Sequence, residues 1–382
     1  MLYAVHSVLR YGFGNDMEAK ETSRGPAVMA EGTNRPVIAL AMGDASGIGS
    51  ELMAKVLSEP DIREVARYVV IGDTRVLARG AAIVGKPIDL PVIGANDPLP
   101  RDRSVFVDLG HLDPEDAPFG SVNLASGRFA IENFRTALRI AAAGEADAVA
   151  FTPFNKAAMR LAHPPYEDEI GFTADVLGFD GTAKEFNILE GLWNARVTSH
   201  VPLKDVASLI TEEEIIGNLA LTADALRASG IAAPRVAVAG LNPHAGDGGN
   251  FGREEIEVIG PAVEAAKARG IVCDGPFPAD TVFLRARRGD FDAVLTMYHD
   301  QGQIAMKLIG FDRGVTMLGG FPVPICTPAH GTAHDIAGTG KANTGATRAA
   351  LLLAARMGAA APRARPASPL SVAAITGQRK AA

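Results

Sequence analysis

Three histidines carry the first chemical signal. His299 lies in Met297-Tyr298-His299-Asp300-Gln301-Gly302, directly after the apolar run Ala293-Val294-Leu295-Thr296. His200 follows Ala195-Arg196-Val197-Thr198, and His244 follows Val236-Ala237-Val238-Ala239. Each run reads as a buried strand. Open α/β sheets put their chemistry at the carboxyl ends of parallel strands. If these strands are parallel neighbours, three imidazoles lie on one sheet edge. Three neutral imidazoles can hold a divalent metal and leave positions open for substrate. For any one histidine alone, a hydrogen-bonded structural role is the better reading; three at strand ends favour metal binding or catalysis. Zinc is the first choice of metal, with magnesium, manganese and cobalt as alternatives, because imidazoles fix geometry more than identity. Asp300 and Asp280, the latter in Phe277-Pro278-Ala279-Asp280-Thr281, are candidates to orient ligands or move protons. The loop around His244, residues 241–250, packs Pro and small residues, as a backbone that must approach something closely would.

A second dense polar stretch is Pro328-Ala329-His330-Gly331-Thr332-Ala333-His334-Asp335-Ile336-Ala337-Gly338. A histidine and small residues followed by Asp could hold an adenosine, with His330 against the base and Asp335 accepting from ribose hydroxyls. A carboxylate there favours NAD over NADP, because it repels a 2′-phosphate. A turn ending in an N-cap Asp would give the same pattern. Near the start, Gly43-Asp44-Ala45-Ser46-Gly47-Ile48-Gly49 joins a strand to a helix, which is the layout of a phosphate cradle. Its glycines miss the G-x-G-x-x-G spacing and no P-loop Lys is present. A tight βα turn that needs small residues accounts for it equally.

These residues need a scaffold, and the chain supplies an alternation of strands and helices. Residues 36–42, 68–71, 105–107 and 148–151 read as strands. Residues 129–143 show helical spacing and stop at Gly144. Thr211-Glu212-Glu213-Glu214 is a capping box opening a helix that ends near Gly230. Residues 253–269 and 347–357 are further helices. Repeated βα units imply an α/β fold with a mostly parallel sheet covered by helices on both faces. A chain of 382 residues exceeds one ordinary domain, so two are expected. The hydrophobic share of 47% is enough for a large core. The net charge of -7 and the lack of a basic stripe argue against a nucleic-acid partner. Two cysteines, Cys273 and Cys326, do not make a disulfide framework and fit a reducing cytoplasm. No apolar stretch approaches the ~20 residues of a membrane span. Residues 1–34 lack sustained periodicity and a secretory pattern, and read as a flexible extension. Residues 358–382, rich in Ala, Pro and Arg, read as a flexible tail.

Six segments together resemble the 4-hydroxythreonine-4-phosphate dehydrogenase family of pyridoxal phosphate biosynthesis. They are the 43–52 loop, Thr198-Ser199-His200-Val201-Pro202-Leu203, residues 240–252, Pro278-Ala279-Asp280-Thr281, residues 298–307 and residues 330–338. The resemblance covers roughly residues 36–357. The last segment is also similar to the adenosine-binding stretch of isocitrate and isopropylmalate dehydrogenases. The resemblance implies a homodimer of two-domain α/β/α subunits with the active site in the interdomain cleft at the dimer interface. The expected domains are 35–155 with 314–357, and 156–313. It implies His200, His244 and His299 as metal ligands, His299 being given across the dimer. It also implies Lys307 and Thr173 as substrate contacts, acidic Asp280 and Asp300 near the metal, and a cofactor set of His330, Gly331, Thr332, Ala333, Asp335 and Asn343.

The chain departs from the family pattern at the substrate. Phe172 stands where the family has His, Thr316 where it has Asn and Ile325 where it has Arg. Losing Arg and His near a doubly charged phosphate is unfavourable. A related branch of the family oxidises the cis-dihydrodiol of terephthalate, and a flat apolar substrate would suit Phe172 and Ile325. The implied chemistry is metal-assisted oxidation of a hydroxy acid by NAD, then decarboxylation, with Lys307 or Asp280 as base. The first substrate expected is 4-phosphohydroxy-L-threonine; the aromatic dihydrodiol acid and a sugar-acid phosphate are the alternatives. A metal-dependent hydrolase would explain the histidines but not the adenosine-like stretch. A non-catalytic binding protein should have lost metal ligands, and none is lost.

Overall fold

Strand β1, Val37–Ala41, is buried at every position, as a central parallel strand covered on both faces must be. The structure is a computed structural model and describes residues 35–377. The other strands are β2 (Arg67–Gly72), β3 (Val92–Gly94), β4 (Val105–Asp108), β5 (Ala148–Phe151) and β6 (Lys184–Leu189). They continue with β7 (Leu192–Arg196), β8 (Val236–Ala239), β9 (Cys273–Phe277), β10 (Ala293–Thr296), β11 (Val315–Gly319) and β12 (Ile325–Pro328). All form one sheet in the order β3-β4-β2-β1-β5-β12-β11-β6-β7-β10-β8-β9. Pairing is parallel except at β11–β12, β11–β6 and β6–β7. Those reversals make β7, β10, β8 and β9 run opposite to the β1 half.

Side-chain alternation separates two faces. Ile38 and Leu40 of β1 share one core with Val236 and Val238 of β8, so this face is apolar from end to end. Met53 of helix Gly49–Leu57, Leu219 of helix Glu212–Ala228 and Leu351 of helix Gly345–Ala360 cover it. The opposite face is split. Ala39 and Ala41 pack with Phe134 and Leu138 of helix Leu124–Ala142. Ala237, Ala239 and Val294 pack separately with Phe283 of helix Ala279–Arg287 and Met306 of helix His299–Gly310. Between these two cores the register aligns Thr327, Thr316, Asn187 and Asn194 across four strands. Cross-strand partners point to the same face, so a polar band divides the second face.

Two expectations about boundaries need correction. Residues 156–177 were expected in the second half, but Met159, Tyr166 and Phe172 are buried with Phe134 in the core of the first. Their apolar side chains have more to bury against helix Leu124–Ala142. The tail expected to loosen from Gly358 is docked through Gly377. The helix runs on to Ala360. Arg363 N donates to Asp147 Oδ1 at 2.9 Å, Arg365 pairs with Asp147, and Leu370 N donates to Glu145 Oε1 at 2.9 Å. Asp147 and Glu145 are both buried, and buried carboxylates need such partners. Residues 1–34 lie outside the described residues.

Candidate active site

The three histidine-bearing strands are neighbours, in the order β7-β10-β8, and run parallel. Their following residues therefore emerge at one edge. The rings of His200 and His299 lie 5.7 Å apart, centroid to centroid. His299 Nδ1 is 2.7 Å from Asp300 Oδ1. That contact fixes the ring and leaves Nε2 free, which is how carboxylates orient metal-binding imidazoles. His200 and His244 are exposed, and both have left-handed backbones, with φ of 21° and 53°. Positive φ outside glycine is uncommon and concentrates at functional sites. The expected convergence of all three is not met within one chain. His244 sits edge-on to Phe251, and among the described residues no three His, Cys, Asp or Glu side chains stand together as a metal site. His200 and His299 offer imidazole donors of the kind that hold divalent metals, with His244 on the adjacent loop.

Sequence reasoning missed the braces of this edge. Buried Glu255 accepts from Leu241 N and Asn242 N through Oε1, each at 2.7 Å, and from Asn242 Nδ2 through Oε2 at 2.9 Å. It anchors a loop in which residues 244–248 all have positive φ. Gln301 accepts from Met297 N at 2.7 Å and donates to Gly240 O at 2.8 Å, tying the His299 turn to the His244 loop. Polar residues just beyond the glycine-rich segments were the available signal. Asp280 is exposed in the first turn of helix Ala279–Arg287. That helix follows β9, which runs parallel to β8, so Asp280 stands at the same edge.

The substrate residues divide. Lys307 is exposed on helix His299–Gly310, two turns beyond His299. Thr316 is half-buried in the polar band, its hydroxyl 3.5 Å from Asn187 Nδ2. Thr173 is fully buried, and its Oγ1 has no hydrogen-bond partner among the described residues. Phe172 and Ile325 do not line a pocket. Phe172 is buried against Phe134, at 5.5 Å between ring centroids, and Tyr166, at 5.8 Å. Ile325 is fully buried in β12, in the same core. The sequence could not show this, because an apolar residue suits a pocket and a core equally.

The 330–338 stretch lies on the 43–49 turn. Ile48 N donates to Thr332 O at 3.0 Å, Gly338 N donates to Glu51 Oε1 at 2.7 Å, and His334 Nε2 lies 2.6 Å from buried Asp44 Oδ2. Asp44 also accepts from Ser126 Oγ. A Cβ on Gly43 would fall 2.2 Å from Thr152 O, and one on Gly47 2.8 Å from Thr332 Cβ. The glycines are thus required by protein packing, so the tight-turn reading holds. Gly331 and Asp335 are exposed, and among the described residues Asp335 has no hydrogen bond or ion pair. His330 Nδ1 lies 3.0 Å from Gly331 O, and Ala333 has φ of 42°. A pinned loop with a free carboxylate fits the ribose role. Asn343 Oδ1 accepts from Gly345 N at 2.7 Å, a local bond at the start of helix Gly345–Ala360.

The fold and site together are those of an α/β protein with a mostly parallel sheet, an imidazole edge and a pinned loop with a free carboxylate. The chain matches the family described as pyridoxal phosphate biosynthetic protein PdxA over residues 64–354, and it belongs to that family. It is 61% identical over 332 residues, 86% of this chain and 95% of the relative, to a provisionally named 4-hydroxythreonine-4-phosphate dehydrogenase 2 of Rhizobium meliloti. It is 37% identical over 335 residues, 87% of this chain and 99% of the relative, to a provisionally named D-threonate 4-phosphate dehydrogenase of Symbiobacterium thermophilum. The solved structure of a 4-hydroxythreonine-4-phosphate dehydrogenase from Burkholderia phymatum matches with a TM-score of 0.71 and 35% identity, covering 85% of this chain and 98% of that one. The chain is an oxidoreductase acting on a CH–OH group with a nicotinamide cofactor.

Proposed function

We propose that the protein oxidises 4-phosphohydroxy-L-threonine with NAD and a divalent metal and then releases carbon dioxide, a step of pyridoxal phosphate synthesis in the cytoplasm. The observation that carries this reading is the His200–His299 pair with Asp300, on the edge of three neighbouring parallel strands in a chain of this family. His200, His299 and His244 would hold the metal, zinc before the alternatives. When bound, it supplies a Lewis acid that lowers the pKa of the substrate hydroxyl. Bound NAD supplies the hydride acceptor.

The chain's own residues do the rest. Asp300 keeps His299 in one orientation. Asp280 or Lys307, both exposed, takes the hydroxyl proton as the carbon gives up its hydride. The new carbonyl stands β to the carboxylate. The carbon–carbon bond then breaks, carbon dioxide leaves, and its electron pair passes into an enolate that is reprotonated. Asp335 accepts from the ribose hydroxyls and turns away a 2′-phosphate.

Ile304, Leu308 and Phe311 are 60%, 82% and 53% exposed at helical spacing. This stripe, on and just past the helix carrying His299 and Lys307, supports a homodimer whose interface borders the site. The two oppositely running halves of the sheet serve as its two domains. D-threonate 4-phosphate, named for one relative, is the second substrate reading. The apolar dihydrodiol is disfavoured because Phe172 and Ile325 are core residues. The test is stoichiometry with 4-phosphohydroxythreonine, NAD and added zinc. Equal amounts of NADH and carbon dioxide, abolished by a chelator, support the reading. NADH without carbon dioxide, or full turnover after chelation, overturns it.

A further inference from the structure

Arg196 is the only buried lysine or arginine among the described residues. It closes β7, four residues before His200, on the face where the polar band parts the two cores. Its Nε donates to Ser199 Oγ at 2.7 Å, and its Nη1 donates to Asn187 Oδ1. Its Nη2 is ion-paired with Glu185 Oε2 at 3.0 Å but makes no hydrogen bond among the described residues, although it is buried. A buried guanidinium with an unmet donor is costly unless an anion completes it. Glu185, itself a quarter exposed, completes it poorly. Asn187 also accepts from Gln303 Nε2, and its Nδ2 lies 3.5 Å from Thr316 Oγ1 and 3.4 Å from Glu185 Oε1. The band is open to solvent at half-buried Glu185 and Thr316. A planar fork in a polar setting, beside the imidazole edge, suits a phosphate better than a lysine would.

We propose that Arg196 binds the substrate's phosphate, which takes the place of Glu185 on the guanidinium. The proposal rests on the reading that the substrate is a phosphorylated hydroxy acid. The test uses inorganic phosphate as the probe, titrated calorimetrically into the intact protein. Arg196→Gln should weaken phosphate binding by roughly 10- to 100-fold, and Arg196→Lys less. Glu185→Gln, which removes the competing carboxylate, should strengthen it severalfold. With a phosphorylated substrate, Arg196→Gln should raise KM while kcat changes little. Unchanged phosphate affinity in a folded Arg196→Gln variant overturns the proposal. So does a Glu185→Gln variant that alters thermal stability but not phosphate affinity, since a purely structural pair behaves that way. So does wild-type protein that binds no phosphate. Phosphate binding that depends on Arg196, without turnover of 4-phosphohydroxythreonine, upholds the proposal and refutes only the substrate reading.

Discussion

Individual residues were legible where their type is rare for its place. Three histidines directly after apolar strands announced an edge site, and the structure puts two of their rings side by side. The third, His244, was visible as chemistry but not as geometry, because its position depends on a left-handed loop that no periodicity encodes. Replacing His299 by Ala should cut turnover by roughly 100-fold or more while leaving the melting transition in place. Near-normal activity in that variant would remove His299 from the metal set. Asp335→Asn should narrow the preference for NAD over NADP, measured as the ratio of kcat/KM values, because a neutral amide no longer repels a 2′-phosphate. An unchanged ratio would show that ribose is read elsewhere. Both thiols are buried, and burial pushes Cys326 up to about 12 and raises Cys273. The thiolate is the reactive form. At pH 8 the native protein should therefore resist a thiol-specific reagent, and both cysteines should react once denatured; rapid labelling of native protein would contradict this.

At the scale of elements, the fully buried parallel strands were the readable part. β1, β5, β8 and β10 are continuous apolar runs of four or five residues, and they stand where the runs predicted them. β9 contains Gly275-Pro276 and lies at the sheet edge, where proline is tolerated; its sequence gave no strand signal. β6, β11 and β12 carry Asn187, Thr316 and Thr327 inward on the polar band, so their alternation does not mark a core-facing strand. The helix expected over 253–269 begins as a π-turn, Glu255–Ile259, before helix Gly260–Ala268. Its first residue, Glu255, is the brace of the His244 loop. Glu255→Ala should cost about 1–3 kcal/mol, because it leaves two part-buried backbone donors without their acceptor. Chemical denaturation checks this, and a change below 0.5 kcal/mol would mean that water replaces the carboxylate (~0.5 kcal/mol being the usual surface effect).

At the scale of the molecule, the class of fold followed from βα alternation, whereas the reversal of direction across the sheet did not. That reversal depends on two local pairings, β6 with β7 and β11 with β12, and on the pairing of β11 with β6, which lies far off in sequence. It produces the divided face, with Arg196, Asn187 and Thr316 between two cores. The docked segment after Gly358 was equally hidden, since its partners, Glu145 and Asp147, lie more than two hundred residues earlier. Leu308→Glu places a charge in the exposed stripe and should shift the protein toward monomer in light scattering, lowering activity with it. A dimer that persists would move the interface elsewhere.

The central claim is a phosphorylated hydroxy acid oxidised at the imidazole edge. Its most direct measurement is NADH formation by the metal-loaded protein, offered 4-phosphohydroxythreonine, D-threonate 4-phosphate and the terephthalate cis-dihydrodiol in parallel. The account predicts turnover of 4-phosphohydroxythreonine and none of the dihydrodiol. Turnover of D-threonate 4-phosphate alone would keep the site and change the pathway. Turnover of the dihydrodiol alone would contradict the account.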